Sequence, residues 1–318
     1  VTSHRKTRIG VDLGGTKTEA VALELREEAP AILARRRVPT ERERGYEHIV
    51  ESTRELIVEV AKEAGLNAHT TPIGVGLPGS TTTLLPDGTR ASEPRVKNSN
   101  TLCLNGRPFH ADLSRALGRN LAFSNDANCF ALAEAAWGAA RGARVTFGVI
   151  LGTGVGGGIV MASEQGPPRA WNGAQGIAGE WGHVALEPAQ GPPCYCGRRG
   201  CIETFLAGPA IEAAYVERTG VPRKLSDIAV RARDGSDPAA KALLAERTEL
   251  FGRALATVLN VLDPDVVVLG GGVSNLDELY EVGPREVARW TFTDSLATRI
   301  VKHQLGDSAG VLGAALLA

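Results

Sequence analysis

The sequence lacks an excess of charge of either sign. Its 35 Lys and Arg stand against 36 Asp and Glu, a formal net charge of −1. A chain so balanced offers no basic footprint for nucleic acid and none for an anionic membrane surface. Long apolar runs are missing too. Stretches such as VVVL at 266–269 fall far short of the roughly 20 residues that span a bilayer. The first eight residues, VTSHRKTR, are basic but run directly into strand-like sequence, without the apolar core or cleavage site of a signal peptide. Cysteine is scarce, five in 318 residues, and three of the five fall within eight positions. That spacing suits a metal site in a reducing, cytoplasmic compartment rather than a disulfide framework.

Two common nucleotide motifs are also absent. Gly152, Gly154 and Gly157 match the dinucleotide fingerprint literally, but that fingerprint must open a helix, and GIVM at 158–161 continues as a strand. Thr16 sits between Gly15 and Lys17 and breaks the Gly-Lys-Ser/Thr of a P-loop. What remains is ordinary for a globular chain, 43% apolar and 22% charged, and long enough for two domains.

The densest chemistry lies in 179–203, GEWGHVALEPAQGPPCYCGRRGCIE. His183 is followed after ten residues by Cys194, then Cys196 and Cys201, with Glu180 and Glu203 at the flanks. One imidazole and three thiolates make a tetrahedral zinc set, and four protein ligands leave no position for an activated water. The role expected is structural, and sites of this kind contribute ~10–16 kcal/mol in small peptides. The alternative is a group of buried free thiols beside a histidine. The spacing is not that of a nucleic-acid-binding finger.

Along the chain, strands are expected over 8–13, 18–25 and 32–38, then an amphipathic helix over 46–64 and a buried strand over 73–77. Pro86-Asp87-Gly88 marks a hairpin turn. A helix over 108–117, a short strand over 121–123 and a helix over 128–137 come next. The opening pattern then returns: FGVILGTG at 147–154 aligns on 9–16 at an offset of 138, with Gly10/Gly148, Val11/Val149, Leu13/Leu151 and Gly14/Gly152 identical. Helices are expected over 204–219, 225–233, 238–262, 276–290 and 309–317, with strands over 265–269 and 298–304. Alternation of this kind argues for an α/β fold with two related halves. The first domain is placed at 1–120 plus 305–318, and the second, carrying the zinc site, at 121–304.

Three glycine-rich turns each follow an apolar strand: Gly14-Gly15-Thr16, Gly152-Thr153-Gly154 and Gly270-Gly271-Gly272. Successive N–H groups in such turns form a concavity for phosphates. Asp12, at a strand end beside the first turn, either holds hydrated Mg²⁺ against those phosphates or caps the turn. Asp126, where a strand meets a helix, is the candidate general base for transfer to a hydroxyl. On residues alone, Asn125 or Asp126 serves equally well as a helix N-cap.

Taken together, DLGGTK at 12–17, GLPG at 76–79, NDAN at 125–128, LGTGVGGG at 151–158, GEWGH at 179–183, CYCGRRGCIE at 194–203 and LGGGVSN at 269–275 resemble the ROK family of bacterial sugar kinases, repressors and unclassified open frames. The likeness covers essentially the whole chain. It implies an actin-like ATPase (ribonuclease H-like) fold, with two α/β domains around an ATP and sugar cleft and a structural zinc beside the sugar. It places the catalytic base on Asp126 and the nucleotide with Mg²⁺ on Asp12, Gly14, Gly15, Thr16, Lys17, Gly152, Thr153, Gly154, Gly270, Gly271 and Gly272. The sugar contacts fall on Gly79, Asn98, Asn125, Asp126, Glu180, His183 and Glu203. His183 binds zinc through one ring nitrogen and is expected to reach a sugar hydroxyl through the other.

KNSNTLCLNG at 97–106, AGEWGH at 178–183 and CYCGRRGCIETF at 194–205 look most like the family's fructokinases, with fructose to fructose 6-phosphate as the reaction. N-acetylglucosamine kinase and glucokinase are the alternatives within the family. A sugar-sensing repressor is the alternative of a different class. It would carry a DNA-binding module ahead of the first strand, and a strand beginning near Arg8 leaves no room for one. The resemblance also implies a homodimer acting on hexose and ATP, with no nucleic-acid or membrane partner.

Overall fold

Two apolar runs on either side of Gly14-Gly15-Thr16 form the first hairpin. In it, β1 (Thr7–Leu13) pairs antiparallel with β2 (Lys17–Glu24), Ile9 opposite Ala22 and Leu13 opposite Thr18. The computed structural model describes residues 6–163 and 166–318. Residues 1–5, the basic segment that heads the expected first domain, lie outside that range. β3 (Ala31–Pro39) completes the meander, and α1 (Tyr46–Glu63) buries Ile49, Leu56, Ile57 and Val60 along one stripe. β4 (Ile73–Leu77) is buried throughout and pairs parallel with β1. Pro86-Asp87-Gly88 turns a hairpin of β5 (Ser80–Leu84) and β6 (Arg90–Lys97). Then come α2 (Phe109–Ala116), β7 (Ala122–Asn125) and α3 (Asp126–Trp137).

The pattern repeats with β8 (Val145–Leu151), β9 (Val155–Ser163) and β10 (Gly166–Ala170). Next are the helices α4 (Glu203–Leu206), α5 (Gly208–Thr219), α6 (Leu225–Asp234) and α7 (Pro238–Leu262). After them stand β11 (Val266–Gly270), α8 (Glu278–Glu281), α9 (Gly283–Ala288), β12 (Arg299–Lys302) and α10 (Ala309–Ala315). The expected helix over 204–219 is two helices, because Pro209 offers no N–H and its ring clashes with the preceding turn. Pro284 divides the expected helix over 276–290 in the same way.

The two five-stranded sheets have the orders β3-β2-β1-β4-β7 and β10-β9-β8-β11-β12. In each, a meander is extended by two parallel strands, β4 and β7 in one and β11 and β12 in the other. Gly10 and Gly148 are the fourth residues of the corresponding strands β1 and β8, so the 138-residue offset in sequence is an offset between equivalent strands.

The chain divides into two units, one of 1–142, 158–178 and 305–318, the other of 143–157 and 179–304. The boundary expected at residue 120 is displaced. β7 continues the first sheet by pairing with β4, Gly74 opposite Ala122 and Leu77 opposite Asn125, and α3 packs on α10. Both elements therefore belong to the first unit. In that unit Ile9, Val11, Leu13, Ile57, Val75 and Phe109 share one core with α1 and α2. The opposite face of the sheet is set by glycine. A Cβ on Gly10 would lie 2.2 Å from Val311 O, and one on its strand partner Gly74 1.9 Å from Ala314 O, so α10 lies directly on the backbone of β1 and β4. In the second unit α7 packs against α5, α6 and α9 and buries Leu243, Phe251 and Leu255. No described helix is long and apolar enough to cross a membrane.

Candidate active site

β7 ends in Asn125, whose extended backbone (φ −64°, ψ 150°) stops the strand, and α3 begins at Asp126. Asn125 Oδ1 accepts from Ala127 N at 2.8 Å, the N-cap bond, and its Nδ2 donates to Gly79 O at 2.9 Å. The choice that sequence left open is thereby made: Asn125 caps the helix. Asp126 occupies the first turn, with Oδ1 also accepting from Ala127 N at 2.8 Å, where the helix dipole favours a carboxylate. Gly79 (φ 84°) packs against the neighbouring loop so tightly that a Cβ would lie 2.5 Å from Lys97 O and 2.8 Å from Ser99 N. Asn98 holds a left-handed conformation (φ 58°) in that loop, which Asn tolerates better than most residues.

Gly79, Asn98 and Asn125 line one wall of a cavity of about 740 Å³ within the first unit. Ser124 and Asn172 line it as well. Asn172 Oδ1 accepts from Ser124 Oγ (2.7 Å) and Asn128 Nδ2 (2.9 Å), and Asn128 Oδ1 accepts from Ile159 N at 3.1 Å. These bonds tie the lining residues Ser124 and Asn172 to α3 and β9. Asn172 sits in no recognisable motif, and its part was not readable from the sequence.

Asp12 is the next-to-last residue of β1, in the same unit. Burial first, then the charges of Asp126 and Glu19, push its carboxyl up to about 7, against a smaller opposing pull from Lys17 and Arg37. Asp12 and Asp126 therefore feel one another, the arrangement a divalent cation relieves. The adjoining turn is closed by Gly14 N donating to Lys17 O (3.0 Å) and braced by Thr40 Oγ1 donating to Gly14 O (2.7 Å). It leads into β2 and so is no P-loop.

In the second unit, Gly152–Gly154 and Gly270–Gly272 stand at the carboxyl ends of the parallel neighbours β8 and β11, where α/β sheets bind ligands. Gly208 N, at the start of α5, donates to Gly152 O at 2.8 Å. Glu203 Oε2 accepts from Val155 N at 2.9 Å and would be 2.6 Å from a Cβ on Gly154. Expected as a sugar contact, Glu203 already holds the glycine turn through one carboxylate oxygen.

The GEWGH segment forms a short 3₁₀ turn, Trp181–His183, anchored by Trp181. That indole donates to Gly156 O (2.9 Å) and meets Phe147 edge-on at 5.8 Å. The turn presents His183 to Cys194, Cys196 and Cys201, the four ligand atoms lying within 4.8 Å of one another. His183 Nδ1 is 3.6 Å from Cys194 Sγ, and Cys196 Sγ is 3.6 Å from Cys201 Sγ. Zn–S bonds of about 2.3 Å in a tetrahedron require edges of about 3.7 Å, so the donor set fits zinc. Its electrostatics fit as well. Burial and the two neighbouring thiols push Cys201 up to about 12, and burial raises Cys194, a cost that a bound cation reverses.

His183 Nε2 differs from expectation. It lies 3.0 Å from the hydroxyl of Tyr195, a side chain 73% exposed, instead of standing open to a sugar. With Nδ1 on the metal, Nε2–H donates to Tyr195 Oη. Burial, then the charges of Glu203 and Glu180, push the Tyr195 phenol up to about 12. Tyr195 stands between two of the ligand cysteines, and this position was the one sequence signal of its part.

We expect purified protein to carry one zinc per chain by elemental analysis. Cys201→Ser is expected to lose most of it and at least about 3 kcal/mol of stability in a denaturant melt. Full stability without metal would remove the structural role.

The sequence matches the model of the ROK family over residues 8–318. It is 34% identical over 317 residues to an N-acetyl-D-glucosamine kinase of Vibrio parahaemolyticus, covering 97% of this chain and 98% of that relative. A ROK hexokinase from Thermus thermophilus superposes with a TM-score of 0.80 at 32% identity, over 98% of this chain and 97% of that one. A ROK family glucokinase from Streptomyces griseus, in complex with glucose and AMPPNP, superposes at 0.75 with 27% identity, over 98% and 99%.

Proposed function

We propose, from the premise that the chain belongs to the ROK family and is a sugar kinase of it, that it phosphorylates the primary hydroxyl of N-acetyl-D-glucosamine with ATP. Its fold is the actin-like ATPase fold. The observation that carries the acceptor is the 34% identity, across nearly the whole of both chains, to an N-acetyl-D-glucosamine kinase. Fructose, expected from the loop and zinc motifs, has no such support: the similar proteins named above are an N-acetyl-D-glucosamine kinase, a hexokinase and a glucokinase. The nucleotide rests on the Streptomyces glucokinase, which is similar over its whole length and holds AMPPNP.

In this reading Asp126 accepts the proton of the sugar's primary hydroxyl as the oxygen bonds to the terminal phosphorus of ATP. The bond from that phosphorus to the bridging oxygen breaks, and ADP leaves with the electron pair. Asn125, fixed by its bonds to Ala127 and Gly79, orients the hydroxyl face together with Asn98. Glu180, Glu203 and His183 are assigned to the remaining hydroxyls, with His183 reaching them through Tyr195. Magnesium bound with ATP supplies neutralisation of phosphate charge, and Asp12 is the residue to hold its hydration shell. The turns at Gly14–Lys17, Gly152–Gly154 and Gly270–Gly272 offer N–H groups to phosphate oxygens. A cavity of about 740 Å³ lies within the range of roughly 300–1,000 Å³ that holds a small ligand. The three thiolates of the zinc site suit a cytoplasmic location.

A coupled ATP assay over N-acetyl-D-glucosamine, glucose, mannose and fructose tests the acceptor. We expect kcat/KM for N-acetyl-D-glucosamine to exceed the others by at least about tenfold. Fructose or glucose at the head of that series would replace the acceptor, and the absence of turnover with all four would end the kinase reading.

A further inference from the structure

The cavity beside Asn125 has a one-sided charge. None of its lining residues is an Asp or Glu, whereas Arg90, Arg95 and Lys97 all come from β6, in the hairpin over its outer part. Among the described residues none of the three is in an ion pair. Arg90 Nη1 donates to Thr83 Oγ1 (3.3 Å), Arg95 Nη1 to Gly106 O (2.7 Å) and Lys97 Nζ to Gln175 O (3.0 Å), all neutral acceptors. The carboxylate of β6 itself, Glu93, lies outside the lining and pairs with Arg115 at 3.1 Å. Burial brings His110, also in the wall, down to about 4, so it stays neutral and adds nothing to the balance.

Most arginines elsewhere on this chain have a carboxylate partner, as Arg36, Arg37, Arg54 and Arg223 do. Three cations on one strand around a recess without acid leave that recess with an uncompensated positive charge. A neutral hexose offers no counter-charge to them. Arg95 and Lys97 are two residues apart and share a strand face, whereas Arg90 stands at the turn end of the hairpin. Guanidinium groups of this kind take carboxylate or phosphate oxygens in a fork.

We infer that the β5–β6 hairpin forms an anion subsite joined to the sugar pocket, and that the protein binds sugars carrying one negatively charged substituent, a carboxylate or a phosphate, against Arg95 and Lys97. The inference rests on the reading of this cavity as the sugar pocket. It does not depend on which neutral sugar is the preferred acceptor.

The test is calorimetric titration of the whole chain at low salt with matched neutral and charged sugars, in the wild type and in Arg95→Gln/Lys97→Gln. N-acetylglucosamine is compared with N-acetylmuramic acid for the carboxylate, and with N-acetylglucosamine 1-phosphate for the phosphate. Glucose against glucose 1-phosphate repeats the comparison if the acceptor is not N-acetylglucosamine. The double variant is expected to weaken at least one charged sugar by fivefold or more relative to its neutral parent, whose own affinity is unchanged. The pair that responds tells carboxylate from phosphate. A relative loss below fivefold for every pair, an equal loss for charged and neutral members, or no binding of any charged sugar overturns the subsite. If N-acetylglucosamine fails to bind while the glucose pair responds, the acceptor is wrong and the subsite stands. Should the double variant not fold, Arg95→Gln alone is read in the same way with a threefold limit.

Discussion

Asp126→Asn is expected to fold, to bind ATP analogue and sugar, and to lose turnover by about 10²–10⁴-fold, the span attributed to a general base. Folding survives because the helix start does not depend on this side chain: Asn125 caps α3 through Ala127 N. Nucleotide binding survives for an electrostatic reason. The charge of Asp126 is one of the influences that push Asp12 upward, so its removal lets Asp12 ionise more readily and leaves the Mg²⁺ position at least as attractive. Steady-state kinetics beside calorimetry of AMPPNP and N-acetylglucosamine read the two effects separately. A kcat above one-tenth of the wild-type value would take Asp126 out of the role.

Asp12→Asn is expected to trade activity for stability. The carboxyl stands at about 7 in the fold against an ordinary 3.8, so the folded chain favours its protonated form. In the unfolded chain it ionises near 3.8. The stability of the metal-free protein therefore falls as pH rises from about 4 to about 7, and is then level as far as this group is concerned. A rise to about 7 corresponds to about 4 kcal/mol, each factor of ten in protonation being about 1.4 kcal/mol. Asp12 keeps part of its surface in contact with solvent, and screening there brings the expected gain at pH 8 nearer to about 2–3 kcal/mol. The asparagine variant should gain that margin at pH 8 and none below pH 4 in denaturant melts, while kcat drops by about 10²-fold or more. Equal melts at both pH values would show that the carboxylate is not strained in the fold. The cost is one an enzyme bears when it keeps an anion ready for a cation.

The elements that sequence displayed most clearly are those defined by local pattern. The hairpins at Gly14–Lys17 and at Pro86–Gly88 are strong because each combines strand-forming segments with a turn that few other residues can make. The candidate metal set was legible because its residues crowd into one short loop, and the four donor atoms do converge. Features that depend on distant segments were not. Whether β7 belongs with 1–120 or with the helices and strands after it depends on its pairing to β4, which no local pattern encodes. The capture of His183 by Tyr195 needs the ring planes, 5.2 Å apart and nearly perpendicular, that only the folded loop provides. Glu203 on the glycine turn is the same case: its motif marked it as important and could not say that a backbone N–H would claim one oxygen. The cations of β6 were ordinary charged residues until the hairpin brought them to a common recess.

The contact of α10 with Gly10 and Gly74 bears on the order in which the protein is made. Chains leave the ribosome from the N-terminus at about 5–20 residues per second, and domains generally fold as units. Here one face of the first sheet is covered by residues 309–315, which emerge after the whole of the second unit, complete at residue 304. The unit begun first is thus the last to close, and until then β1 and β4 present bare backbone glycines to the cell. A chain released before residue 305 would hold a finished second unit and an open first one, and residues 305–318 act as the latch that shuts it.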